Sequence, residues 1–389
     1  MKRLKTNSRL PQLDVLRAVA ILIVLLVHVP CNLEGVSPWF RSGYEVIVRG
    51  GWVGVDLFFV LSGFLISSLL FKEQLQYGTI NFKRFFLRRG LKIYPSFYFL
   101  FFLTIAVFLI GGRSMKGRAI IDELFFLQNY GPYLWYHCWS LAIEEHFYIF
   151  LPIALILAIK WNPDKQRPFA ILPTVFCIIG VGVIGLRILI LLYGVRLGIY
   201  NNTDNLFAHT HARIDSLLFG VLLSYYSHYN RRALELVLNK SPFVLLAIAI
   251  LLLAPPFLLD QHSFFILSIG FSLNYLGLGI ILLLCLRYLP SAISRGSWLY
   301  ASVAYIGTFS YSIYLWHAPF TLWGVGWLRG VWPSPPFHVV LPFYLLGSLL
   351  LGIVASKIIE LPILRLRDRL LPSRSKGMTS TEDVIPSAR

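Results

Sequence analysis

The sequence predicts an all-α integral membrane protein. It reads as a polytopic bundle of about ten transmembrane helices in the plasma (inner) membrane, with both termini cytosolic. Composition is the first reason. Hydrophobic residues make up 57% of the 389 and charged residues 14%, with a mean hydropathy of +0.69. A soluble domain carries about 25% charged residues. The second reason is that apolar runs of about 20 residues, each enough to cross a bilayer as a helix, recur along the whole length. The third is the placement of Lys and Arg. With the N-terminus in the cytosol, 25 of the 35 basic residues fall on cytosolic segments and 7 on the opposite loops, while Arg17, Arg187 and Arg213 lie inside spans. Such a bias marks the cytosolic side. It accounts for most of the net charge of +17. Basic residues that flank apolar spans do not build a soluble basic face, so nucleic acid is excluded as a partner and membrane lipid is expected.

The spans follow in order. The first, about 14–34, is too long for a signal-peptide core, is interrupted by Arg17 and is followed by no small-residue cleavage site. The others are read at 51–71, 93–112, 139–159, 169–193, 209–228, 242–259, 264–286, 301–325 and 338–359. Residues 1–12 form a cytosolic N-terminal segment, 13–365 one membrane domain, and 366–389 a polar tail read as disordered. The longest outer segment, 113–138, is the expected surface for meeting a partner molecule. Cys31, Cys138, Cys177 and Cys285 show no C-x-x-C spacing, and only Cys31 and Cys138 fall near one face where a bridge is conceivable. His137, Cys138 and His146, or His209 and His211, match no metal-ligand spacing, so no metal is expected.

Polar residues inside apolar spans carry the chemistry, because ionisable groups are expensive there. Arg17 and His28 are eleven residues apart in the first span. At about 100° per residue they share a helix face, separated by roughly 16 Å of rise. A cation near one membrane face and a titratable base deeper on the same stripe suit a long anionic substrate whose reactive end lies in the bilayer. In the second span Asp56 is either functional or part of a structural ion pair, and Gly51, Gly54 and Gly63 read as helix-packing positions. The first cytosolic loop, INFKRFFLRRGLKIYP, interleaves Phe with Lys83, Arg84, Arg88, Arg89 and Lys92. It is either an interfacial stretch held by anionic lipid or an Arg-rich cradle for phosphates.

The fourth span opens HCWSLAIEEHFYIFLP, where Ser140, Glu144 and Tyr148 share one face at i, i+4 and i+8. Glu144 is a candidate to polarise His28 or accept a proton, and its structural alternative is a salt bridge to Arg17 or Arg213. In the sixth span Arg213 and Asp215 suggest an ion-pair network, and His211 is spaced to touch Asp215. In the ninth, Ser310, Tyr314 and His317 fall on one face at i, i+4 and i+7.

Six ordered blocks resemble the membrane-bound acyltransferase 3 family: Leu13 to His28, GGWVGVDLFFVLSGFLIS, FLRRGLKIYP, WSLAIEEHFYIFLP, ARIDSLLFG and FSYSIYLWH. They span nearly the whole chain. The resemblance implies ten or eleven helices and transfer of an acyl group, most often acetyl, from cytosolic acyl-CoA to a hydroxyl of an extracytoplasmic or lipid-linked glycan. Its motif of a basic residue, ten residues and a histidine falls on Arg17 and His28. Its Arg-x-x-Arg motif falls on Arg89 and Lys92, and lysine loses the bidentate fork of arginine. Some members carry a further hydrolase-like domain, for which the length here leaves no room.

The combined reading is an acyl-CoA-dependent O-acyltransferase, with acetyl-CoA as the expected co-substrate and a glycan or glycolipid as acceptor. His28 and Glu144 are the catalytic candidates. Arg17, Arg84, Arg88, Arg89 and Lys92 are expected to hold the donor phosphates. Asp56, Ser140, Tyr148, Arg213, Asp215, Ser310, Tyr314 and His317 are expected on the acceptor side or in the framework. The rival reading is a secondary transporter or exporter of a lipid-linked sugar or small molecule, against which the lack of an inverted repeat counts.

Overall fold

The computed structural model describes residues 10–30, 33–162, 164, 167–194, 197, 205–289 and 297–372. Among these the fold is all helical, with no strand. Helix α1 (Pro11–Val27) opens on a proline, whose missing N–H costs nothing in a first turn. Helix α2 (Pro38–Gly50) runs at Gly51 almost directly into α3 (Val53–Tyr77), which ends at Gly78 in the left-handed conformation (φ +70°). The Asn81 side chain caps α4 (Phe82–Ile110) by accepting the Arg84 N–H. After α5 (Gly117–Leu124), a 3-10 turn over Tyr136–Cys138 leads into α6 (Trp139–Trp161). Then come α7 (Leu172–Leu189), the short α8 (Asn205–Ala208), α9 (Thr210–Tyr229), α10 (Arg231–Leu238), α11 (Pro242–Leu253), α12 (Pro255–Leu258) and α13 (Phe271–Tyr288). The last elements are α14 (Trp298–Thr308), α15 (Ser310–Phe320), α16 (Gly326–Val331), α17 (Phe337–Ala355) and α18 (Leu361–Leu370).

Six helical stretches are long and apolar enough to cross a membrane, or seven if α10 and α11, bent by 91°, count as one. Ten were expected, and the difference has physical causes. Helix α1 has 17 residues. Helix α9 is 20 residues long but carries Thr, His, Arg, Asp and Ser. The expected ninth span breaks between α14 and α15, and a π-helical turn follows at Thr321–Val325. These less apolar helices are packed among the others: Ala18, Ile21, Leu25, Arg213, Asp215 and His317 are buried. Protein, rather than lipid, surrounds their polar groups, so they tolerate them.

Small residues set the central contacts. A Cβ on Gly63 would overlap the Leu217 carbonyl, and one on Gly220 would overlap the Val60 carbonyl, so α3 and α9 touch backbone to backbone. Gly307 brings α14 equally close to the Asp14 carbonyl of α1. The segment between α4 and α6 is packed down rather than left as a free arm. Glu123 accepts the Leu134 N–H at 3.1 Å, the Gln128 amide donates to the Cys138 carbonyl at 2.9 Å, and the Trp135 indole donates to Thr104 at 2.9 Å. Phe126 holds φ +57°, a strained conformation for a bulky residue, while its ring stacks on Phe97 at 4.3 Å.

The two ends of the bundle differ in kind. At one end Gln12 donates to the Leu289 carbonyl, His228 meets Ser68, and Arg84 and Arg88 reach residues 368–372. At the other end His28 meets Tyr136, the Tyr44 hydroxyl donates to the Leu26 carbonyl, and Phe207 meets His262. The polar tail expected from 366 begins as helix, since α18 runs to Leu370; the tail from 373 on and the conceivable Cys31 bridge lie outside the described residues.

Candidate active site

Helix α1 ends at His28, whose Nδ1 donates to the Val24 carbonyl at 2.8 Å. Four residues back along a helix is the reach of this bond. It fixes the tautomer, so that Nε2 carries the lone pair. His28 lines a cavity of about 450 Å³ together with Trp52, Tyr136, His137, Trp139, Phe207, Gln261, His262 and Tyr314. No Asp, Glu, Lys or Arg is among the lining residues. The His317 ring lies 5.2 Å from that of His28 and 4.8 Å from that of His137. On α15, Tyr314 bonds Ser140 at 2.7 Å and donates to the His137 carbonyl at 2.6 Å. Ser310 is buried at the start of the same helix. Among the described residues, no group of three or more His, Cys, Asp and Glu is arranged to hold a metal ion.

Glu144 is not joined to His28. Both the Tyr148 hydroxyl and Ser62, at 3.2 Å, donate to its Oε2, and Arg89 approaches the same atom at 3.6 Å. The Arg89 guanidinium also lies 4.0 Å above the Tyr148 ring. The expected orienter of His28 is therefore the carboxylate partner of Arg89. One face of α6 does carry Ser140, Glu144 and Tyr148, but it serves two neighbours: Ser140 faces the histidine cluster, and Glu144 with Tyr148 faces Arg89.

The expected cationic cradle divides in the same way. Arg84 and Arg88 point away from the bundle interior: Arg84 donates to the Pro372 carbonyl, and Arg88 to the Leu371 carbonyl and to Asp368 Oδ1 at 3.1 Å. Arg17 pairs with Asp14 at 2.5 Å on α1. Lys92 is one of the charges that act on Glu144. Arg213 takes Asp56 rather than Glu144 as its partner, and its guanidinium packs 3.9 Å above Phe271. Asp215 is held by Arg187 through two bonds of 2.7 and 2.8 Å, not by His211, which meets the Tyr130 hydroxyl at 3.1 Å. All four partners of these two ion pairs are essentially inaccessible. They form a buried framework behind the cavity wall, since Trp52 and Trp139 lie about 6 Å from the Arg213 guanidinium.

Outside the membrane-spanning helices, burial pushes the Glu123 carboxyl up to about 7.

The acyltransferase domain family matches residues 10–357. The chain belongs to the acyltransferase 3 family. As an acyltransferase 3 protein it is 29% identical over 343 residues to the peptidoglycan O-acetyltransferase OatA of Listeria monocytogenes, covering 82% of this chain and 51% of that one. It is 26% identical over 388 residues to the O-acetyltransferase OatA of Staphylococcus aureus, covering 93% of this chain and 58% of that one. The chain thus spans about half the length of the curated relatives it matches. No solved structure matches it. For this family member, sequence reasoning weighed His137 only as a metal ligand and missed its place in the cavity wall, as it missed the aromatic walls Trp52, Trp139 and Phe207. The signal was there in part: His137 opens the stretch HCWSLAIEEHFYIFLP that carries Ser140 and Glu144. It also missed the partner of Arg187, a lone cation whose spacing to Asp215 across another helix no periodicity reveals.

Proposed function

We propose that the protein is a membrane O-acetyltransferase that moves an acetyl group from cytosolic acetyl-CoA to a hydroxyl of an extracytoplasmic or lipid-linked glycan. Ten membrane crossings in the inner membrane, with both termini cytosolic, complete the reading. The observation that carries it is the arrangement across the bundle: His28, with its Nε2 free of the Val24 bond, lines a cavity at one end, and the arginines of α4 gather at the other. Family membership and the O-acetyltransferase names of the relatives support it.

In this reading Arg84 and Arg88 hold donor phosphates at the cytosolic face. The donor arm runs past Arg89, Glu144 and Tyr148 towards Ser140 and Tyr314. His28 Nε2 takes the proton as the acceptor O–H bond breaks and the new O–C bond forms at the thioester carbonyl. The C–S bond then breaks, and the proton on His28 passes to the leaving thiolate, which departs as the free thiol. Glu144 acts on the route, holding Arg89 in place, rather than on His28.

The test is mass spectrometry of surface glycans from cells lacking the gene, restored with it, or restored as His28→Ala at equal membrane level. O-acetyl groups should vanish on deletion and return with the wild type alone. Full restoration by His28→Ala overturns the mechanism. Unchanged acetylation with an altered amount of exported glycan overturns the enzyme and supports the transporter.

A further inference from the structure

The protons of the histidine cluster are placed by three backbone carbonyls. His28 Nδ1 donates to Val24 at 2.8 Å, His317 Nδ1 to Tyr314 at 2.5 Å, and His137 Nε2 to Leu315 at 3.2 Å. A neutral imidazole that donates from one nitrogen offers a lone pair at the other. For His137 that lone pair is on Nδ1, a buried atom without a hydrogen-bond partner. His137 is only 2% exposed, yet it lines the cavity. A second lining residue has the complementary gap, since the Trp52 indole N–H is buried and donates to nothing. Leaving such groups unmade is costly, so a partner that satisfies both is favoured. Two residues of the cavity wall beside the proposed base thus hold a buried acceptor and a buried donor that nothing in the protein satisfies.

The rest of the wall narrows the ligand. Trp52, Tyr136, Trp139 and Phe207 supply aromatic surface, and no charged side chain joins them. The nearest cation behind the wall, Arg213, is already neutralised by Asp56. A ligand charge taken in here would find no Asp, Glu, Lys or Arg side chain among the lining residues as a counter-ion, which disfavours it. A cavity of about 450 Å³ lies in the range, about 300–1,000 Å³, of small-molecule sites.

We propose that this cavity is an acceptor subsite for a single uncharged sugar residue. The Nδ1 lone pair of His137 accepts a hydrogen bond from the hydroxyl adjacent to the one that His28 deprotonates, and the Trp52 N–H donates to a ring substituent. The proposal rests on the O-acetyltransferase reading for the role of His28, but the binding it describes does not need the donor. His137 is a positioning residue, because it holds the acceptor without exchanging the transferred group.

Two substitutions separate this role from a structural one. His137→Gln keeps a donor for the Leu315 carbonyl but removes the acceptor at the Nδ1 position, and His137→Asn does the reverse. Purified protein is titrated with methyl glycosides of glucose, galactose, mannose, rhamnose and N-acetylglucosamine, and with methyl glucuronide, reading the fluorescence of Trp52 and Trp139 against Trp→Phe controls. Acetyl transfer from labelled acetyl-CoA to the same glycosides and to their monodeoxy analogues is measured in parallel. The expected result is binding of at least one neutral glycoside and none of the glucuronide. Loss of the hydroxyl next to the acetylated carbon should raise the acceptor KM about tenfold or more in the wild type. That penalty should disappear in His137→Gln, whereas His137→Asn should retain it, with the acetyl-CoA KM unchanged in both. The proposal is overturned if no neutral glycoside binds, if the glucuronide binds as well as the neutral sugars, or if the deoxy penalty is the same in His137→Gln as in the wild type. Binding of a neutral glycoside that His137→Gln weakens, with no acetyl transfer in any arm, overturns the O-acetyltransferase reading and leaves the sugar site standing.

Discussion

Arg88 and Arg89 are neighbours in sequence and opposites in role. One step of an α-helix turns a side chain by about 100°, which sends Arg88 out to Asp368 and Arg89 in to Glu144 and Tyr148. Their substitutions should therefore fail differently. Arg88→Ala should leave the membrane level of the protein unchanged and raise the acetyl-CoA KM about tenfold at low salt, with the effect shrinking as salt rises. Arg89→Leu strands the Glu144 carboxylate and should cost about 3 kcal/mol of stability, visible as a lower detergent melting temperature. Arg89→Leu combined with Glu144→Leu should recover most of that stability without recovering activity. Equal melting temperatures for Arg89→Leu and the wild type would show that the pair is not held as described. Glu123 gives a residue-scale prediction in pH. Its folded value near 7 lies above the usual carboxyl value of 4.5, so the native state holds the proton that the unfolded chain releases. The stabilising contribution is complete below about 4.5 and is lost as pH rises through 7. Amide exchange at Leu134 and Trp135, corrected for intrinsic rate, should accelerate across that window, and Glu123→Gln should flatten the dependence.

At the scale of elements, the contact between α3 and α9 depends on the absence of two side chains. Gly63→Ala and Gly220→Ala each place a methyl group into a facing backbone, which cannot yield as a flexible side chain does. Each should lower the melting temperature by several degrees or abolish folded protein. Gly182 and Gly185 on α7 have open space at the same position, so Ala there should be neutral or stabilising by up to about 1 kcal/mol. Comparable losses at all four sites would remove the close-approach explanation. This scale also shows what was legible beforehand. Uninterrupted apolar runs marked α4, α6, α7, α13 and α17 directly, because such helices meet an apolar surrounding on most sides. The expected spans over α1, α9 and α15 are not among the helices long and apolar enough to cross a membrane, and α9 and α15 are less apolar for the reason that made them conspicuous as chemistry: they bury Arg213, Asp215 and His317 against other helices. Periodicity assigned Ser140, Glu144 and Tyr148 to one face of α6, and Ser310, Tyr314 and His317 to one face of α15. It did not say which element each face meets. Glu144 was read against His28, or else against Arg17 or Arg213, and it meets Arg89 instead, since partner choice is settled by tertiary packing.

For the whole molecule, polarity is sorted by end as well as by depth. Arginines of α4 and the residues around Leu371 gather at one end, while Tyr136, Phe207 and His262 gather at the other. In a variant with its native cysteines replaced, Lys83→Cys and Asp260→Cys should label from opposite sides of the membrane with an impermeant maleimide, Asp260→Cys from outside intact cells. Labelling of both from the same side would overturn the proposed orientation. The end that carries Arg84 and Arg88 has one more property. The carbonyl oxygens of Leu371 and Pro372 already accept from these guanidinium groups, in the manner of phosphate oxygens. An anion that docks there would enter an exchange with residues 368–372, and its apparent affinity would be scaled by the fraction of molecules in which that segment is displaced. In the proposed reading, anything that holds residues 368–372 aside would sharpen anion capture without altering a single arginine, so that segment would be a built-in competitor at the donor end.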